Sequence, residues 1–191
     1  MKYISVFCGS SSGNEEIFVH QAELLGRTIA RRGYGIIYGG ARVGLMGAVA
    51  NGAMSEGGEV IGVIPAFLKR KELEHEGLSQ IYVVETMHQR KALMNELSDG
   101  VVTLPGGFGT MDELFEILTW GQLALHKKPI GLLNVQGYYD PLVVMSQKMI
   151  EKGFLKDDYR NLLIVEDNID ILLNEMEIFV PLSGNKWYEV K

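Results

Sequence analysis

A doubly wound α/β fold, with helices on both faces of a mostly parallel sheet, is what this sequence predicts, on three observations. Seven short apolar runs recur along the chain, helical patterns separate them, and the runs are apolar at nearly every position rather than at alternate ones. A strand buried on both faces needs that last property, and parallel neighbours need the crossover helices. The runs fall at residues 3–8, 35–38, 60–64, 81–84, 101–104, 130–133 and 162–165. Between the first two, Phe18, Ala22, Leu25 and Ile29 stand at i, i+4, i+7 and i+11, the period of a helix with one buried face. Gly33 then ends that helix. Residues 66–80 are a polar excursion, with Lys69, Arg70, Lys71, Glu72, Glu74 and Glu76, and polar loops of that length often form a lid or a site wall. No linker or repeat interrupts residues 1–180, which read as one domain, and residues 181–191 read as a loose tail.

Composition narrows the function classes. With 191 residues, 47% hydrophobic and 22% charged, the chain has enough material for a full core and is not a disordered sequence. No apolar run reaches the roughly 18 residues of a membrane span, and Met1-Lys2-Tyr3-Ile4-Ser5-Val6 opens a strand rather than a signal peptide, so a cytoplasmic location and no membrane partner are expected. A lone cysteine, Cys8, can form no internal disulfide and fits a reducing compartment. The net charge of −6 offers no basic tract for nucleic acid, although a small anion can bind at a local site.

Such a site is expected beyond the carboxyl ends of the strands, where open parallel sheets hold their ligands. Three strand ends carry glycine and hydroxyl residues: Cys8-Gly9-Ser10-Ser11-Ser12-Gly13, Gly39-Gly40-Ala41-Arg42-Val43-Gly44-Leu45-Met46-Gly47, and Pro105-Gly106-Gly107-Phe108-Gly109-Thr110. The second has the glycine spacing of a P-loop, but Leu45 and Met46 stand where Lys and Ser or Thr are required. In the third, the dinucleotide frame starting at Gly107 ends in Asp112, whose charge would repel a pyrophosphate. Asn14 stands where a phosphatase-type thiolate loop needs arginine, which leaves Cys8 as a small buried hydrophobe at a strand end.

The third strand end leads into Thr110-Met111-Asp112-Glu113. Glycine turns let backbone amides approach an anion, and the positive end of a helix dipole favours it. Glu113 would bring a carboxylate to that place. Thr110 and Glu113 also have the spacing of a capping box, which needs no ligand, but Pro-Gly-Gly-Phe-Gly holds more glycine than a helix entry requires. Glu116 shares a face with Glu113 and either orients it or is solvated. A second constellation follows the fourth run. Met87, Arg90, Met94 and Leu97 form a helical stripe, so a guanidinium occupies a face built for burial and needs an anion, unless it snorkels to water. Lys91 beside it reads, by itself, as a surface lysine. His20, His75, His88 and His126 are scattered without metal-ligand spacing, so no metal is expected.

Taken together, these residues resemble the Lonely Guy family of phosphoribohydrolases, which release cytokinin bases from riboside 5′-monophosphates and often carry the label of lysine decarboxylase. The resemblance rests on Pro-Gly-Gly-x-Gly-Thr-x-x-Glu at residues 105–113 and Met-His-x-Arg-Lys-x-x-Met at residues 87–94. It extends to Cys8-Gly9-Ser10-Ser11, Tyr38-Gly39-Gly40, Gly44-Leu45-Met46-Gly47 and Thr119-Trp120-x-Gln122-Leu123, in that family's order. It implies a doubly wound, Rossmann-like fold, Arg90 and Glu113 as the catalytic pair, and no cofactor. It further implies a nucleotide held by Ser10, Gly40, Lys91, Gly107, Phe108, Gly109, Thr110, Met111, Asp112, Thr119 and Glu72, with Glu74 or Glu76 as substitutes for the last. A homodimer with sites near its interface is also implied, with Trp120, Leu123 and Leu125 either at that interface or in the core. Two other readings remain at this point. A non-catalytic protein for a nucleotide or phosphorylated cofactor would need only the glycine turns. A pyridoxal phosphate decarboxylase would need a Schiff-base lysine, for which Lys91 is the motif residue at hand.

Overall fold

In a computed structural model of the chain, which describes residues 1–69 and 75–181, all seven apolar runs are strands. They are β1 (Tyr3–Phe7), β2 (Gly35–Tyr38), β3 (Val60–Pro65), β4 (Gln80–Val84), β5 (Gly100–Thr103), β6 (Ile130–Leu133) and β7 (Leu163–Glu166), each within one residue of its expected ends. One sheet takes them in the order β4-β3-β2-β1-β5-β6-β7, and every neighbouring pair is parallel. The chain therefore works outward from β1 to β4, then crosses back to β5 on the other side of β1. Between β1 and β5 lies the point where the winding reverses.

Helices α1 (Glu16–Arg31), α2 (Gly44–Ser55) and α7 (Ile169–Glu177) cover one face, where Leu25, Ile29, Val49 and Leu172 meet Ile4, Val6, Ile36 and Tyr38. On the opposite face are α4 (Met87–Leu97) and α5 (Phe108–Gln122), which bring Met94, Leu114 and Ile117 against Phe7, Ile37 and Val101. Consecutive strand residues thus feed two separate cores, as the pleat requires. A single-turn helix, α3 (Ala66–Lys69), follows β3, and α6 (Asp140–Glu151) follows β6. In α1, Ala22, Leu25 and Ile29 are fully buried, and Gly33 follows its end at φ +79°, a left-handed position that suits glycine. The backbones of α1 and α2 meet through two glycines. A Cβ on Gly26 would lie 2.1 Å from the Val49 carbonyl oxygen, and one on Gly52 would lie 2.1 Å from that of Glu23.

Among the described residues no helix is long and apolar enough to cross a membrane. No residue of α6 is fully buried, and its Val144 is 68% exposed. Residues 182–191, nearly all of the expected tail, lie outside the described residues, as do Glu72 and Glu74 of the polar excursion; Glu76 is described and is exposed.

Candidate active site at the sheet crossover

The carboxyl ends of β1 and β5 are joined directly, because the Gly9 amide donates to the Pro105 carbonyl at 3.1 Å. Beside this junction is a crevice of about 320 Å³ whose lining includes Ser10, Ser11, Phe18, Gly106, Gly107 and Tyr138. Helix α5 starts at its edge, with Gly107 as N-cap and no side chain capping it. The amides of Phe108, Gly109 and Thr110 have no acceptor among the described residues, and they lie at the positive end of a fifteen-residue helix. The capping box is not formed. Because α5 begins at Phe108, Thr110 is its third residue and Glu113 its sixth, one turn too far inside to reach the cap amide. Thr110 instead packs under the turn: a Cβ on Gly106 would lie 2.1 Å from its Oγ1, so the turn needs glycine there.

Glu113 is 8% exposed and faces Arg90, 7% exposed, with Arg90 Nη2 3.7 Å from Glu113 Oε1. Arg90 is held in register by a capping box at the start of α4, where Thr86 Oγ1 accepts from the Gln89 amide and Gln89 Oε1 accepts from the Thr86 amide. Its guanidinium fits a notch at the end of β2, since a Cβ on Gly39 would lie 2.1 Å from Nη2. At 3.7 Å the two charges attract without a hydrogen bond. Arg90 Nε is buried with no hydrogen-bond partner among the described residues. Burial pushes the Glu113 carboxyl up to about 7, against the downward pull of Arg90. The arrangement is a buried ion pair with one unpartnered donor, Arg90 Nε, and with Glu113 set on the helix whose first amides have no acceptor among the described residues. Cys8, at the end of β1, is buried, and burial raises its thiol well above the usual range, with the Glu113 charge adding to the effect. It behaves as the small hydrophobe expected of it.

The remaining expected site residues are distributed more widely. Lys91 is not a free surface lysine: its side chain is 9% exposed and its Nζ lies 2.9 Å from Asp112 and 3.1 Å from Glu116. Burial opposes its charge, but the hydrogen bonds it donates to both carboxylates outweigh this and hold the ammonium above its ordinary range. Glu116 therefore neither orients Glu113 nor stands solvated; it ties α5 to α4. Phe108 projects from the helix start, 96% exposed, while Met111 packs partly into the second core. Gly40, at φ +81°, turns the chain after β2, and its carbonyl accepts from the His75 amide at 3.2 Å. Thr119 does not join the pair. It donates to the Phe115 carbonyl and lines a separate groove of about 350 Å³ between α5 and α6. Of the three residues expected at an interface or in the core, Trp120 packs against the second core, Leu123 is half-buried and Leu125 is exposed. Sequence reasoning passed over Tyr138 and Tyr139, whose hydroxyls reach the Gly106 and Leu104 carbonyls, each at 2.7 Å. The signal was there: Gly137-Tyr138-Tyr139-Asp140 follows a strand, as the glycine turns do.

The chain has clear relatives among known proteins. Residues 46–176 match a family model described as "Possible lysine decarboxylase". The chain is 45% identical, over 91% of its length and 78% of the relative's, to a rice (Oryza sativa subsp. japonica) protein named "Probable cytokinin riboside 5′-monophosphate phosphoribohydrolase". It is 42% identical, over 93% of its length and 84% of the relative's, to a cytokinin riboside 5′-monophosphate phosphoribohydrolase of Arabidopsis thaliana. Among solved structures, a structural-genomics target superposes with a TM-score of 0.72 at 25% identity, covering 94% of this chain and all of that one. The molybdenum cofactor carrier protein of Chlamydomonas reinhardtii superposes at 0.68 with 23% identity, over 92% and 96% of the two chains, and shares the fold.

Proposed function

The chain belongs to the Lonely Guy family, and from that premise we propose that it hydrolyses the N-glycosidic bond of purine riboside 5′-monophosphates, cytokinin nucleotides and AMP among them, to free base and ribose 5-phosphate. The observation that carries this reading is the buried Arg90–Glu113 pair beside a turn of unpaired amides. Breaking the C1′–N9 bond builds positive charge on the ribose and negative charge on the departing purine. Glu113 as carboxylate stabilises the first and takes a proton from the attacking water, the part carboxylates play in glycoside hydrolysis. A carboxyl near 7 is well matched to that step at neutral pH. Arg90, whose guanidinium is a poor proton donor, assists the leaving group by electrostatics and anchors the nucleotide. The 5′-phosphate rests on the amides of Gly107, Phe108, Gly109 and Thr110 with the Ser10 hydroxyl at hand, and nucleosides lacking it should react poorly because remote binding energy is missing from the transition state.

Two alternatives fit less well. A pure anion receptor gains nothing from a buried carboxylate near its ligand. A pyridoxal phosphate enzyme needs a free lysine, and Lys91 is committed to Asp112 and Glu116. The exposed apolar face of α6, with Val143, Val144 and Met145, supports the reading that a second copy covers it in a homodimer. A cytoplasmic setting suits the single thiol. The test is incubation with AMP and with isopentenyladenosine 5′-monophosphate, following free base and ribose 5-phosphate by chromatography. Release from either, abolished in Glu113→Gln with nucleotide binding retained, is the expected result; tight binding without release from either would favour the receptor.

A further inference from the structure

The strand-to-helix turn at residues 104–107 presents three carbonyl oxygens close to the place where the phosphate is read to sit. Each would repel an anion if it turned toward the crevice, and each is taken. The Pro105 carbonyl accepts from the Gly9 amide at 3.1 Å, the Leu104 carbonyl from the Tyr139 hydroxyl at 2.7 Å and the Gly106 carbonyl from the Tyr138 hydroxyl at 2.7 Å. Two consecutive tyrosines therefore hold the carbonyls on either side of Pro105. They come from the segment between β6 and α6, and that segment is itself fixed. Asn134 Oδ1 accepts from the Tyr139 amide at 2.7 Å, its Nδ2 donates to Asp140 at 2.8 Å, and its own amide donates to the Glu166 carbonyl on β7. The Tyr138 ring also packs edge-on to Phe18 and Tyr139, with centroids 6.0 and 4.9 Å away.

We infer that Tyr138 and Tyr139 are positioning residues for the phosphate end of the substrate: by engaging the Gly106 and Leu104 carbonyls they leave the turn a surface of N–H donors only. A peptide unit is rigid, so fixing the Gly106 carbonyl also fixes the direction of the Gly107 amide that shares its plane. Tyr138 is the better probe, because its ring lines the crevice and is partly exposed, whereas Tyr139 is buried in the second core. The inference rests on the reading of this turn as the phosphate seat, and one experiment separates the two.

The measurement is equilibrium binding of ribose 5-phosphate by calorimetry to the wild type, Tyr138→Phe and Tyr139→Phe, with thermal melting of each protein alongside. Loss of one such hydrogen bond should weaken binding about fivefold. In turnover of AMP, KM should rise by a similar factor while kcat changes little, and Tyr138→Phe should melt close to the wild type. Equal binding of ribose 5-phosphate by wild type and both variants overturns the clamp and leaves the seat in place. A wild type that binds AMP but not ribose 5-phosphate removes the seat, and the clamp's role with it. A fall in kcat alone, with binding and KM unchanged, also overturns the positioning role. Should a variant melt early, Tyr138→Trp, which keeps an aromatic wall but cannot reach the carbonyl with a hydroxyl, must show the same weakened binding.

Discussion

Glu113 is held in a place that disfavours its own charge, so replacing it should make the protein more stable while removing its activity. Burial raises its carboxyl from an ordinary 4.5 to about 7 in spite of Arg90. The folded state thus binds the Glu113 proton more tightly than the unfolded state does. Stability from this group is fully present below the unfolded value and is lost as the pH rises through the folded one. Two and a half pH units at about 1.36 kcal/mol each make the ionised side chain a burden of about 3 kcal/mol above pH 8. Near pH 4, where both states are protonated, it weighs almost nothing. Glu113→Gln imitates the protonated form at every pH. Denaturant unfolding of wild type and variant should therefore coincide near pH 4 and separate steadily to about 3 kcal/mol by pH 8, with the variant the more stable; for a chain of this size that is about 6–12 °C in Tm. A variant equally or less stable than wild type at pH 8 would refute the reasoning. It would mean that the Arg90 attraction, not desolvation, dominates at this site.

Three further outcomes follow from the same geometry. The pH profile of kcat/KM for AMP should rise with a midpoint near 7 as Glu113 ionises, and a limb confined to about pH 6, where the phosphate itself titrates, would assign the dependence to the substrate. Gly39→Ala places a methyl group against the Arg90 guanidinium and should displace it, lowering kcat by at least about tenfold with the fold intact by circular dichroism; unchanged kinetics would show that Arg90 need not occupy its notch. Gly26→Ala forces a methyl group onto the Val49 carbonyl and should cost about 1–3 kcal/mol in urea unfolding, whereas an exposed glycine such as Gly153→Ala, where open space surrounds the Cβ but φ is +79°, should lose only the smaller penalty of its backbone strain.

The strands could be read from the sequence because a sheet covered on both faces leaves a mark in every residue of each run, and no tertiary knowledge is needed to see it. Arg90 and Glu113 were legible for a different reason. A charge within an apolar stripe, and a carboxylate following surplus glycine, are local contradictions, and functional sites are where such contradictions persist. The helix start was ambiguous because Thr110 and Glu113 satisfy a capping rule by spacing alone; only the backbone shows that Gly107 ends the turn and no side chain caps the helix. Lys91 escaped because its partners, Asp112 and Glu116, lie on another helix and come within reach only when α4 and α5 pack. The placement of Thr119, on the α6 side of α5, also depends on packing that spacing does not encode. Tyr138 and Tyr139 were missed for the same cause, since a hydroxyl that meets a carbonyl some thirty residues earlier in the chain leaves no periodic trace.

The crossover between β1 and β5 also dictates when the protein can first work. Strands β1 to β4 are added to one side of the sheet in sequence order, whereas β1 finds its second neighbour only at the Ile4–Gly100 register. During synthesis, a chain short of residue 100 has an apolar β1 edge with nothing beside it, a surface open to other unfinished chains. Long-range parallel pairing is slow to form, so the docking of β5 is where folding should be delayed. Helix α4 packs over strands already made, and the docking of β5 brings α5 in beside it and closes Glu113 against Arg90. The charged pair is thus buried late, after most of the sheet that must enclose it has been made.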